Sequence, residues 1–258
     1  MAAVGVPGEE RAEYIKANFP KEHGDDIVLE LAKAYNACGA YDKALEVMLG
    51  HTFTPGEGGE FAIADTYMFG RFAAGRKELA EGNYEKALEY FQAAVNIPAN
   101  LHASFWNEST TVPYRYYEAE ALSRLGRTDE AKEIIDHISK IDNRGMWSMG
   151  GEFTYYAAKI AKLAGKEMQA QATMRRAILS WEEQMADKRG AGGRGIGGRF
   201  FYLSFIDDPQ RVKVANLNYM LGYGALYNGD VAGAKELFAK SLELNPDNVK
   251  CALELSLL

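Results

Sequence analysis

The chain has 258 residues with 29 Lys and Arg against 36 Asp and Glu, a formal charge of −7 at neutral pH. Hydrophobic residues make up 47% and charged residues 25%, which excludes a disordered polyelectrolyte and fits a chain long enough for one large core, two domains or a repeat array. A net acidic chain with no dense Lys or Arg run lacks the electrostatic footprint of a nucleic-acid binder.

The only cysteines, Cys38 and Cys251, stand near opposite ends, which fits neither a disulfide framework nor a zinc site and points to a reducing compartment. No stretch approaches the roughly 18 apolar residues of a membrane helix, and "MAAVGVPGEER" has neither a basic n-region nor an apolar h-region. A cytoplasmic chain without membrane contact, or one part of something larger, is the expectation.

Taken in order, one pattern returns along the chain: a Gly followed five residues later by an Ala. The pairs are Gly39 and Ala44, Gly82 and Ala87, Gly126 and Ala131, Gly165 and Ala170, and Gly229 and Ala234. Each Gly lies between two runs whose apolar residues recur three and four apart, as in "YRYYEAEALSRL" before Gly126 and "YEKALEYFQAAV" after Gly82. That spacing gives each run one buried stripe, and Gly supplies the left-handed residue that ends a helix and lets the chain return antiparallel. The small Ala allows close approach of the second helix, and Met48, Phe91, Ile135, Met174 and Phe238, four residues on, fill the adjacent gap.

The spacing therefore predicts an all-α, right-handed α-solenoid of about five helical hairpins near 26–50, 62–97, 112–139, 152–185 and 210–245, as a single repeat domain over 1–258. A Gly-rich connector at 189–199 and a capping helix at 247–258 complete it, with Ala252, Leu253 and Leu257 covering the exposed end. Marker glycines stand farther apart than the about 34 residues of the plain repeat, so every junction carries an insertion. These are "HTFTPGEGGEF", "NLHASFWNESTTVP", "KIDNRGMWSMGGE" and the segment around "DKRGAGGRGIGGRFFYLSFIDDP".

The segments "EGNYEKALEYFQAAVNIPAN" and "NGDVAGAKELFAKSLELNPDN" resemble tetratricopeptide repeats. Gly82, Tyr84, Ala87, Phe91 and Ala94 occupy signature positions in one, and Gly222, Gly229, Ala234, Phe238 and Pro246 in the other. The first-helix tryptophan of the pattern is missing throughout, and Thr128 and Glu167 stand where Tyr is favoured. With its insertions "HTFTPGEGGE", "IPANL" and "FFYLSFIDDPQ", the chain also resembles the C-terminal helical-repeat region of large bacterial proteins with an N-terminal mutarotase-like β-sandwich domain of unknown function. That resemblance implies a larger protein and, by analogy, carbohydrate chemistry.

Gly193, Gly195 and Gly198 satisfy a dinucleotide spacing, but "LSWEEQMADKR" before them reads as helix where a strand is required, so a connector is the reading. None of His23, His51, His102 and His137 pairs at helical spacing with another His or a Cys, so no metal is expected, and no other cofactor. Tyr35, Tyr41, Tyr84, Tyr90 and Tyr156 are assigned to packing.

Two candidate sites remain. In a stack of hairpins the first helices line the concave groove, and counting back from each marker Gly places Lys33, Asn36, Phe72, Arg76, Tyr116, Glu120, Arg124, Tyr155, Lys159, Lys162, Tyr219 and Tyr223 there. Cations between rings suit an acidic peptide or a glycan; a solvated face is the other reading. The second site is built on the insertions, where His51, Glu57, Glu60, His102, Trp106, Glu108, Arg144 and Trp147 would gather carboxylates and rings around a sugar; helix capping and loop packing is the rival.

The reading is a non-catalytic protein-interaction or ligand-presenting scaffold, bacterial by its second resemblance. Its partner is a protein or peptide, with a preceding domain of the same protein as a further possibility and self-association as a third. The alternative is an accessory part of a carbohydrate-active enzyme whose sugar-binding or catalytic domain lies outside this chain, with a carbohydrate as its ligand.

Overall fold

A computed structural model describes residues 5–19, 24–56, 59–141, 151–187 and 208–258. Among the described residues there are α-helices and two short 3-10 turns, and no strand. The helices are α1 (Gly8–Asn18), α2 (Asp25–Ala37), α3 (Tyr41–Leu49), α4 (Glu60–Glu81), α5 (Tyr84–Val95), α6 (Val112–Arg124), α7 (Thr128–Ile138), α8 (Gly151–Leu163), α9 (Glu167–Ala186), α10 (Pro209–Tyr227), α11 (Val231–Leu244) and α12 (Val249–Leu257). The pairs α2/α3, α4/α5, α6/α7, α8/α9 and α10/α11 are five helical hairpins packed in series, an all-α helical-repeat fold. The Gly-rich connector at 189–199 lies outside the described residues.

All five marker glycines have φ between 74° and 85°, and open space surrounds the position of a Cβ at each. Backbone conformation, and not crowding, therefore calls for Gly at these turns. Close approach governs a second pair of glycines. A Cβ on Gly75 would stand 2.7 Å from the Phe91 ring, and one on Gly222 closer still to Phe238. Phe91 and Phe238 are fully buried, so a first-helix notch receives a second-helix ring in hairpins α4/α5 and α10/α11. The five alanines after the marker glycines are buried too.

One apolar core runs from α2 to α12, with a small satellite of Ala12, Leu31 and Ala34 between α1 and α2. The helix α1 is absent from the sequence reading. Its run GEERAEYIKAN carries too few apolar residues to show a stripe, and it is held instead by Gly8 against the α2 backbone and by Arg11, whose guanidinium lies 2.6 Å from Asp247.

The helix α12 departs from its expected place as an end cover. It does pack on α11, where the buried Cys251 thiol donates to the Phe238 carbonyl at 3.3 Å. Its other side turns inward, and it also meets α2 and α4. Leu253 is buried, while Ala252 and Leu257 are partly exposed.

Candidate functional site, an inner groove half covered by the last helix

The first helices α2, α4, α6, α8 and α10 stand side by side and carry a continuous run of rings. The Phe72 ring contacts Tyr117 at 5.5 Å, Tyr117 contacts Tyr156 at 5.9 Å, and Tyr156 contacts Tyr223 at 6.2 Å. Tyr155 and Tyr219 flank Tyr223 at 4.7 and 5.1 Å. Burial pushes the phenols of Tyr117, Tyr156, Tyr219 and Tyr223 well above the ordinary tyrosine range, so they remain neutral and able to donate.

Into this run α12 inserts a carboxylate. Glu254 is 4% exposed and takes a two-pronged contact from Arg76, with Nη1 to Oε1 at 2.8 Å and Nη2 to Oε2 at 3.2 Å. Tyr223 donates its hydroxyl to the same Oε1 at 3.1 Å. The guanidinium lies over the Tyr117 ring at 4.2 Å and the Phe72 ring at 5.5 Å. One turn earlier, Lys250 donates to Glu152 of α8 at 2.9 Å. Asp247, just before α12, pairs with Arg11 of α1. The last helix is thus tied by charge to α1, α4 and α8 and by a phenol to α10.

Of the twelve groove residues expected from the sequence, Asn36, Phe72, Arg76, Tyr116, Tyr155, Tyr219 and Tyr223 are buried. Arg76 and Tyr223 are engaged by α12 itself, so the open cationic groove of the sequence reading is corrected at these positions. The cause is inward folding of a segment that sequence position puts at the far end. Asn36 donates to the Thr66 carbonyl at 3.0 Å, and Lys33 pairs with Glu30 at 2.7 Å.

The remaining residues mark an open part of the groove, on α6 and α8. Arg124 and Lys162 are exposed and Glu120 is partly so. Arg124 is 3.8 Å from Glu120, and Lys162 is 3.5 Å from Glu167. The Lys159 ammonium sits over the rings of Tyr116 and Tyr155 at 4.6 and 5.3 Å, and burial lowers its pKa. Tyr116 also lines a cavity of about 580 Å³ that reaches α7, with Glu120, Arg124, Lys132, Asp136 and Leu163 among its other lining residues.

The insertions come together in part. The Asn100 side chain donates to the His51 carbonyl at 2.6 Å, and the Phe53 amide donates to the Asn100 carbonyl at 2.9 Å, so the first insertion is stitched to the second. Glu60 and His102 line one cavity of about 380 Å³, and His102 is held at φ 44°. Trp106 lies against Phe61 at 4.6 Å. The other two candidates there serve neighbours: His51 Nε2 is 2.7 Å from Asp25 Oδ1, and His137 Nε2 is 2.6 Å from Glu108 Oε1. Glu57, Arg144 and Trp147 lie outside the described residues.

Among the described residues, no three His, Cys, Asp or Glu side chains are placed to hold a metal, and no helix is long and apolar enough to cross a membrane. Both cysteines are free thiols. The sequence reading missed Glu254, Lys250, Glu152, Asp247 and Arg11. The available signal was the acid in "CALELSLL", flanked by apolar residues on both sides. In a cap packed only on α11 such an acid would face water; its burial demands a cation from another element.

Residues 215–248 match the family model described as a tetratricopeptide repeat, and that stretch contains most of α10, the turn at Gly229, all of α11 and Pro246.

Proposed function

We propose that the chain is a protein-interaction scaffold with no catalytic centre of its own, and that the open part of its inner groove holds an acidic segment of a partner protein. The tetratricopeptide match supports the scaffold class. The observation that carries the finer reading is Lys159, a partly buried cation resting on two tyrosine rings, one of which, Tyr116, lines a cavity together with Arg124. A desolvated ammonium is a costly feature in the free protein, and a carboxylate from a partner would offset that cost.

The carbohydrate alternative and its larger-protein setting have less geometry behind them. His51 and Glu108 are engaged by Asp25 and His137, leaving Glu60, His102 and Trp106 as the described residues of that site.

The test is selection of displayed 12-residue peptides on the full chain, followed by anisotropy titration of the best binder. Acidic sequences should be enriched, and Arg124→Ala and Lys159→Ala should each weaken binding by about 3- to 30-fold, the usual cost of truncating an interface residue. Selection without acidic bias, or affinity unchanged in both variants, would remove this reading.

A further inference from the structure

The covered part of the groove already holds an occupant whose chemistry can be read. The helix α12 has nine residues, too few to be stably helical alone, so the groove supports its shape. Lys250 and Glu254 stand four apart, on one face of the helix. Each meets a charge of opposite sign on a different first helix, Glu152 on α8 and Arg76 on α4. Leu253 is buried too, while Cys251 is buried against α11. The receiving surface of Arg76, Tyr117, Tyr223 and Phe72 has the aromatic and arginine composition of interface hot spots.

Two features mark this contact as a recognition surface more than a sealed core. A cavity of about 230 Å³ runs along the seam, lined by Lys33, Asn36 and Asp65 on one side and by Asp247, Val249 and Lys250 on the other. Asn36, which lines that cavity, and Arg11, which pairs with Asp247, each keep one buried atom, Oδ1 and Nε, without a hydrogen-bond partner. A buried ion pair such as Arg76 with Glu254 adds less net stability than an apolar pair would, yet it strongly selects which side chain fits.

We propose that this surface recognises a partner's helix with the pattern of α12, a basic residue four positions before a glutamate with small or apolar residues between, and that α12 occupies its place. The inference rests on the scaffold reading and names the partner and its control: α12 competes from within the same chain, where tethering gives it an effective concentration in the millimolar range. A partner helix gains access by binding more tightly or when the Arg76 to Glu254 contact opens.

A fluorescein-labelled peptide of residues 246–258 tests this on three full-length chains: the wild type, Glu254→Gln, and Glu254→Gln combined with Arg76→Gln. The Glu254→Gln chain should bind the peptide at least tenfold more tightly than the wild type, and the double variant should not bind it. A peptide carrying Glu254→Gln should bind the Glu254→Gln chain at least tenfold more weakly than the unaltered peptide. Equal binding by wild type and Glu254→Gln, or binding by neither, overturns the inference.

Hydrogen exchange on the wild-type chain keeps the question decidable if Glu254→Gln fails to fold. Amides of Cys251 to Leu257 exchanging at least 100-fold faster than those of α10 and α11 support a displaceable α12, and equal protection overturns it. Failure here, with Arg124→Ala and Lys159→Ala still weakening acidic peptides, leaves the scaffold reading intact. Loss of the Arg124 and Lys159 effects alone removes that reading's acidic site without touching α12.

Discussion

The covered and open parts of the inner groove belong to one row of first helices, and they differ in what satisfies their cations. On the covered side Arg76 is 8% exposed and meets a carboxylate from the same chain. On the open side Lys159 rests on aromatic faces, and the nearby Arg124 meets Glu120 only at 3.8 Å. One surface chemistry is thus consumed within the molecule on one side and left available on the other. Groove composition alone does not identify a binding face; whether another segment of the chain has supplied the counter-charge decides it.

The strongest way to break this contrast is to remove the cation on each side. Arg76→Met strands Glu254 in a buried setting and should cost about 3–5 kcal/mol, the typical penalty for breaking a buried pair. Combining Arg76→Met with Glu254→Leu should recover most of that loss, because both charges are then gone. Lys159→Met strands no buried ion partner and should change stability by less than about 1 kcal/mol. Urea unfolding of the four chains measures all of this. A single-variant cost at Arg76 no larger than that at Lys159 would show that the two parts of the groove do not differ in the stated way.

A smaller effect tests the hairpins that flank the covered part. Gly75 and Phe91 in α4/α5 repeat as Gly222 and Phe238 in α10/α11, each pair with the ring in the notch of the glycine. Gly222→Ala gains about 1 kcal/mol of helix propensity but forces a methyl into a fully buried ring, an overpacking cost of about 1–3 kcal/mol. The expected net is a loss of up to about 2 kcal/mol by thermal or urea unfolding, with Gly75→Ala behaving alike. A stabilised Gly222→Ala chain would mean that the Phe238 ring yields freely, and that the covered part is looser than its burial implies.

The hairpins were legible because their causes are local. A helix terminus needs a residue at positive φ, a close crossing needs Ala, and apolar stripes recur at helical spacing, so each is written within a few residues of Gly39, Gly82, Gly126, Gly165 or Gly229. The groove residues are placed by the same local count back from each marker Gly. What covers them was not legible, because Arg76 and Glu254 are 178 residues apart and their meeting depends on how far successive hairpins curve, a sum of small rotations that no local pattern encodes. The helix α1 escaped notice because Ala12 and Ile15, which pack on α2 beside Gly8 and Arg11, are too few to show an apolar stripe.

The smallest predicted effect concerns the first insertion, which borders the covered part through α2. Asp25, the first residue of α2, lies 2.7 Å from the His51 ring and accepts from the Thr54 amide at 2.8 Å. The contact with His51, then the Thr54 amide, holds its carboxyl below the usual aspartate range. A carboxylate whose folded pKa is depressed contributes stability above its unfolded pKa of about 3.9, and that contribution is lost as pH falls through the folded value. The pair is close to the surface, so solvent screening limits the contribution to roughly 0.5 kcal/mol. Asp25→Asn should therefore lower stability by about that much at pH 7, and the difference from wild type should be smaller at about pH 2. A gap of equal size at both pH values would assign Asp25 a packing role and leave the insertion anchored by Asn100 alone.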